Sequence, residues 1–150
     1  MKIKIVDKRI TPDMLGYKTK GSAGIDLYAL PNEYYANSLV WNGIYTEFST
    51  GIKLEIPEGH VGIIVPRSSS GSNGLMLANT VGVIDSDYRG EIKLRLVKWK
   101  VESVKPIEIK EPVRVAQLLI IPVKQVDIEI VDSLEETDRG ENGFGSTGKE

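Results

Sequence analysis

Glu91-Ile92-Lys93-Leu94-Arg95-Leu96 sets a charged residue against a large apolar one in strict alternation. Successive side chains of an extended chain point to opposite faces. The stretch therefore reads as a strand with Ile92, Leu94 and Leu96 on a core and Glu91, Lys93 and Arg95 in water. The same period recurs in both directions along the chain. Ile3 and Ile5 alternate with Lys2 and Lys4, and Leu54 and Ile56 with Lys53 and Glu55. Ile107 and Ile109 alternate with Glu108 and Lys110, and Val126, Ile128 and Ile130 with Gln125, Asp127 and Glu129. Two runs, Val61-Gly62-Ile63-Ile64-Val65 and Val115 to Val123, are more continuously apolar and predict strands buried on both faces. Asn42-Gly43, Pro57-Glu58-Gly59 and Lys105-Pro106 supply turns between strands, and no helical stripe of ten or more residues appears. The pattern predicts an all-β sandwich or barrel of roughly eight or more strands.

With 150 residues, 41% hydrophobic and 27% charged, the sequence fits one soluble globular domain. A net charge of −2 and the lack of a long like-charge block give no footing for a nucleic-acid backbone, although a few local arginines suffice for a small anion. With no cysteine there is neither a disulfide framework nor a thiolate metal site, and the single histidine, His60, rules out a histidine cluster. His60 itself reads as a surface turn residue. No stretch is apolar and long enough for a bilayer, and Met1 to Ile5 lacks the run of a signal peptide. The expected address is the cytoplasm, or a host cytoplasm for a viral source. From Thr137 onward the sequence is polar and glycine-rich, with Phe144 its large apolar residue, so a tail over 137–150 is expected to move while 1–136 forms the barrel.

Five segments carry chemistry. Asn79 to Glu91 contains Asp85-Ser86-Asp87-Tyr88 and leads into the alternating strand, which reads as a hairpin with a carboxylate near its tip. Hairpin peptide groups can imitate a base-pairing partner, Gly82 admits close approach to the backbone, and Asp85 can polarise a water. The bland alternative is a surface turn with two aspartates. Pro66-Arg67-Ser68-Ser69-Ser70-Gly71 offers a guanidinium fork, hydroxyls and loop N–H groups to phosphate, against a plain polar loop. In the tail, Phe144 can stack on a base, against a disordered terminus. Gly143 to Lys149 comes close to a P-loop, but Glu150 stands where Ser or Thr is needed. Asp26, inside the apolar run Ala23 to Ala29, needs a partner such as Arg67. Gln117 interrupts another apolar run and must find hydrogen bonds.

Taken in order from Ala23 to Gly148, these segments resemble the five motifs of the trimeric dUTPase family. The resemblance implies a jelly-roll-like β-barrel, a homotrimer with shared active sites, and a tail closing over a neighbour's site. It implies hydrolysis of dUTP to dUMP and pyrophosphate, which limits uracil incorporation into DNA and supplies dUMP for thymidylate synthesis. Asp85 would activate the attacking water and Tyr88 would lie under the deoxyribose and exclude a 2′-hydroxyl. Asn79, with peptide groups of Val83, Ile84 and Lys93 beside Gly82, would read uracil or the sugar. Arg67, Ser68, Ser69 and Gln117 would hold phosphate. Arg139 would reach the γ-phosphate, Phe144 would cover the uracil, and Gly145 and Ser146 would add phosphate contacts. Mg2+ would be held by the triphosphate without a direct protein ligand, with Asp26 orienting an arginine or a magnesium-bound water.

The loop after Arg67 departs from the family in lacking a Gly-Leu and a Lys, and Asn142 replaces a frequent glycine. Asn32 to Glu47, rich in aromatics, matches no motif and reads as a peripheral hairpin or loop. It is the candidate surface for a regulatory protein partner if the source is viral. The alternatives are a dCTP deaminase-like enzyme of related fold and a regulatory or binding protein on the same fold.

Overall fold

The computed structural model describes residues 1–31, 45–98 and 109–141. Eight strands are found among them. β1 is Lys2–Ile5, β2 Ile25–Ala29, β3 Thr46–Glu55 and β4 His60–Pro66, followed by β5 Leu75–Leu77, β6 Gly82–Ile84, β7 Glu91–Lys98 and β8 Val113–Pro122. A 3-10 turn, Pro12–Met14, and a five-residue helix α1, Ser68–Ser72, are the helical elements. The strands form two four-stranded sheets, β1-β3-β7-β5 and β2-β8-β4-β6, in which every pairing is antiparallel. This is the two-layer all-β architecture that the alternation predicts.

The core lies between the layers. Phe48, Ile52, Leu54, Ile92, Leu94 and Leu96 enter it from one sheet, and Leu27, Ile64, Val115 and Leu118 from the other. Each such side chain contributes ~1.5–3 kcal/mol relative to exposure. Register keeps the alternation in phase through a bulge: Ser49 pairs with Lys93, but the next pair is Lys53 with Glu91. Two extra residues on β3 preserve parity, so Phe48, Thr50, Ile52 and Leu54 all face inward. Gly51 makes the bulge feasible. Its φ is +70°, and a Cβ there would stand 2.8 Å from Ile10 and 2.9 Å from Asp7. Glu91 fixes the bulge from β7 by accepting from Gly51 N at 3.0 Å and from the Ser49 hydroxyl.

Three sequence expectations change here. The runs in β4 and β8 are not buried on both faces. Ile64 and Leu118 go inward, whereas Ile63, Leu119 and Ile121 line an outer face in cross-strand pairs Ile63–Leu119 and Val61–Ile121. β6 and β7 do not form a hairpin, since β6 pairs with β4 and β7 with β3 and β5. The stretch between them is a corner joining the two sheets, because turn chemistry reverses a chain without specifying which sheet it re-enters.

The third change concerns the last alternating segment. Strand pairing ends at Pro122, and residues 123–141 run exposed over the surface. Ile128 is 89% exposed, Ile130 95% and Leu134 86%. The alternation at 126–130 therefore has no core among the described residues of its own chain. The segment expected around Ile107 and most of 32–47 lie outside the described residues.

Candidate active site

The predicted site residues fall into two groups at opposite ends of β4. The first surrounds the corner between the sheets. Asn79, Val83, Ile84, Asp85, Tyr88 and Lys93 line one cavity of ≈ 360 Å³, within the range of small-molecule pockets. Tyr88 N donates to Asp85 O at 3.2 Å and closes a four-residue turn, which leaves the Asp85 carboxylate at the cavity rim in solvent. Asp85 also borders a second groove of ≈ 880 Å³ that contains Glu58, His60 and Arg89.

Open peptide edges line the first cavity. β5 is only three residues long and its pairing with β7 stops at Leu77–Leu96. Ala78 N donates to Arg95 O at 2.8 Å, so Arg95 turns its peptide groups toward β5. By the two-residue period Lys93 does the same, at a point that β5 no longer covers. Among the described residues β6 is the edge of its own sheet, so alternate peptide groups there also lack a ladder partner within that set. The chain leaves β5 through Thr80, whose φ of 56° is rare for a β-branched residue. Asn79 Nδ2 donates to Val81 O at 3.2 Å within that turn. Gly82 is buried, and its missing side chain makes room first for the neighbouring strand: a Cβ there would lie 3.1 Å from Ile64 Cβ and 3.6 Å from Asn79 Nδ2. The side chain of Lys93 is committed to Glu47 at 2.8 Å, and Arg95 Nε reaches the same carboxylate at 3.1 Å. The hydrogen bond from Lys93 lowers the pKa of Glu47, and Glu47 in turn raises that of Lys93.

The second group sits where β4 ends. Asp26 on β2 is buried and meets two guanidinium groups, Arg67 Nε at 3.0 Å and Arg114 Nη1 at 3.1 Å, one on each carboxylate oxygen. The need for a partner such as Arg67 is thus met, and Arg114 is the partner that sequence reading missed. Gln117 lies in the middle strand of this corner, opposite Asp26 on one side and Val65 on the other. Arg67 is followed by α1 rather than by an irregular loop. The helix is tied down by Ser70, whose buried hydroxyl donates to Val115 O at 2.8 Å, while Ser68 and Ser69 face solvent. Gly74, at φ +74°, ends the helical turn.

The two groups do not meet within one chain. Gly62 pairs with Ile84, so Asp85 lies beyond that pair, beside Val61. From Val61 to Arg67 is six residues, and at ~3.3 Å each the separation along β4 is roughly 20 Å. Arg67 moreover leans across β8 to Asp26 on β2, whereas β6 flanks the other side of β4. Arg139 lies exposed in the turn 137–141, and Phe144, Gly145 and Ser146 are outside the described residues. Among the described residues no group of three or more His, Asp or Glu side chains gathers as a metal cage. No helix among them is long and apolar enough to cross a membrane.

Comparison with known proteins gives these residues a family. The protein named deoxyuridine 5'-triphosphate nucleotidohydrolase from Histophilus somni (strain 2336) is 42% identical over 98% of this chain and 96% of its own. The protein of that name from Escherichia phage T5 is 42% identical over 99% and 98%. Among solved structures, the Staphylococcus bacteriophage 80alpha dUTPase with dUPNHPP superposes with a TM-score of 0.72 at 23% identity, over 99% of this chain and 98% of that one. At that identity the likeness concerns the jelly-roll fold. The dUTPase family model spans residues 11–148, which takes in both ends of β4 and the tail. Matched along nearly its whole length, the chain belongs to the dUTPase family.

Proposed function

We propose that this chain hydrolyses dUTP to dUMP and pyrophosphate, with Asp85 activating the water that attacks the α-phosphorus. The observation that carries the reading is the cavity in which the Asp85 carboxylate shares one wall with uncovered peptide edges. Uracil presents an N–H between two carbonyls, which such edges at Lys93 and at one of Val83 and Ile84 can match, with Asn79 beside them. Tyr88 would lie against the deoxyribose. As the water oxygen bonds to phosphorus its proton passes to Asp85, the bond to the bridging oxygen breaks in line, and pyrophosphate leaves. Arg67, Ser68, Ser69 and Gln117 would hold the phosphate chain and stabilise the developing charge.

Magnesium on the triphosphate would neutralise part of that charge when bound, a role suited to phosphate oxygens and water as ligands. Asp26 already has a guanidinium on each oxygen, which favours its acting by orienting Arg67 and Arg114.

One site needs Asp85 and Arg67 together, and their separation within a chain supports drawing them from different copies in a homotrimer. Two apolar surfaces support self-association. They are the outer face through Ile63, Leu119 and Ile121, and the extended segment through Ile128, Ile130 and Leu134. The arm 137–150 would then cover a neighbour's site, with Arg139 on the γ-phosphate, Phe144 on the uracil, and Gly145 and Ser146 on phosphate. In a cytoplasmic setting the reaction would keep uracil out of DNA and provide dUMP.

The test is pyrophosphate release from a panel of nucleotides with magnesium. dUTP should be turned over far faster than dCTP, dTTP or UTP. Ammonia released from dCTP would replace this reading with that of a deaminase.

A further inference from the structure

The ring of Tyr88 lies over the residues that follow it in the chain. Its hydroxyl donates to Glu91 O at 3.2 Å, at the first residue of β7. Between them stands Gly90. A Cβ built on Gly90 would lie 2.2 Å from Tyr88 Oη, 2.4 Å from Cζ and 2.9 Å from Cε2, and these are the three nearest atoms it would meet. Real side chains do not pack that closely. Gly90 is not among the glycines with left-handed φ, so its backbone would accept an L residue without strain. What the position requires is space, and one ring occupies it.

We infer that Gly90 is a positioning residue that determines sugar specificity, because its missing side chain is the seat that holds the Tyr88 ring in its place at the wall of the nucleotide cavity. The inference rests on the reading of Tyr88 as the group against the deoxyribose. The seat has a firm floor. Glu91, whose carbonyl receives the phenol, is tied by its carboxylate to Gly51 N across β3. The ring is the softer partner: Tyr88 is 45% exposed, and the clashing atoms are the far end of a rotatable side chain. A methyl group at position 90 therefore displaces the ring from its place beside the cavity that Tyr88 shares with Asn79 and Asp85, which loosens the gate on the sugar and leaves the barrel standing.

The test uses the full chain carrying Gly90→Ala, Tyr88→Ala, or both, with kcat and KM measured for dUTP and UTP beside the thermal unfolding midpoint. Gly90→Ala should lower the ratio of kcat/KM for dUTP over UTP by about tenfold or more, with little change in the midpoint. In the Tyr88→Ala background the same substitution should leave the ratio where Tyr88→Ala alone puts it, since the ring it displaces is gone. An unchanged ratio in Gly90→Ala, while Tyr88→Ala narrows it, overturns the seat and leaves the sugar gate standing. An unchanged ratio in Tyr88→Ala removes the gate, and the inference with it. Should Gly90→Ala fail to fold, the double variant decides: recovery of folding upholds the seat, and failure there overturns it.

Discussion

At the corner between β6 and β7 the chain offers uncovered peptide edges and solvent-facing side chains. At the far end of β4 it offers charge held by charge, a buried aspartate gripped by two arginines. The first corner suits a flat, hydrogen-bonding group with little charge, because fixed peptide groups discriminate by position. The second suits a polyanion, because two guanidinium forks are already oriented and only partly neutralised. Separate construction lets each be rigid in its own way, one through strand ends and the other through a buried ion pair. The cost, on the proposed function, is that neither corner is an active site alone.

The largest effect should come from splitting the corners between molecules. Asp85→Asn should cut turnover roughly 10²–10⁴-fold while leaving nucleotide binding intact, and Arg67→Ala should also be inactive. Mixed after reversible dissociation, the two variants should regain activity, since about a quarter of randomly assembled shared sites would take the intact group from each. A mixture that stays inactive would mean that both residues must come from one chain.

Asp26→Asn attacks the charged corner. It removes the counterion of two guanidinium groups and should cost about 1–3 kcal/mol in denaturant unfolding, less than a fully buried pair because both arginines reach solvent. KM for dUTP should rise as well. An equal loss of stability with unaltered KM would reduce Asp26 to a structural residue.

Glu91→Gln tests the peptide corner from behind. The bulge at Gly51 would keep a weaker acceptor, and stability should fall by about 1 kcal/mol. A loss of several times that would show the bulge to be a keystone for both sheets.

The smallest effect concerns acid. Glu47 has a pKa below the ordinary glutamate value of 4.5, chiefly through the hydrogen bond from Lys93. Its contribution to stability is therefore complete above about 4.5 and is lost as pH falls through the lowered folded value. Glu47→Gln should flatten the stability profile on that acid side, and salt should shrink the difference, since the pair is exposed. The charged corner should respond less to salt because Asp26 is shielded from solvent.

Much of this was legible in residue order. The alternation at Glu91 to Leu96 fixes a strand and its inner face, and a carboxylate at Asp26 within an apolar run demands a cation. That Arg114 shares the carboxylate was not legible, because the pairing of Tyr28 with Arg114 follows a register shift between Leu27 and Tyr28. Ser68, Ser69 and Ser70 look alike in sequence; only the helix turns the third one inward onto Val115. The alternation at Val126 to Ile130 reads as a strand with one face on a core, yet the segment is exposed and unpaired, because periodicity records a face without saying whether the same chain has a surface to cover it. The corner at Asp85 read as a hairpin for a similar reason: local turn signals do not record the sheet that receives the next strand.

The exposed stretch after Pro122 also bears on how the protein comes into being. It leaves the ribosome after the eight described strands have been made, so if the chain assembles as the proposed homotrimer, a newly finished subunit carries bare isoleucine and leucine side chains until another subunit finds it. That interval grows as expression falls. Scarce subunits should be prey to proteases cutting between Val123 and Leu134, whereas abundant ones should mature intact.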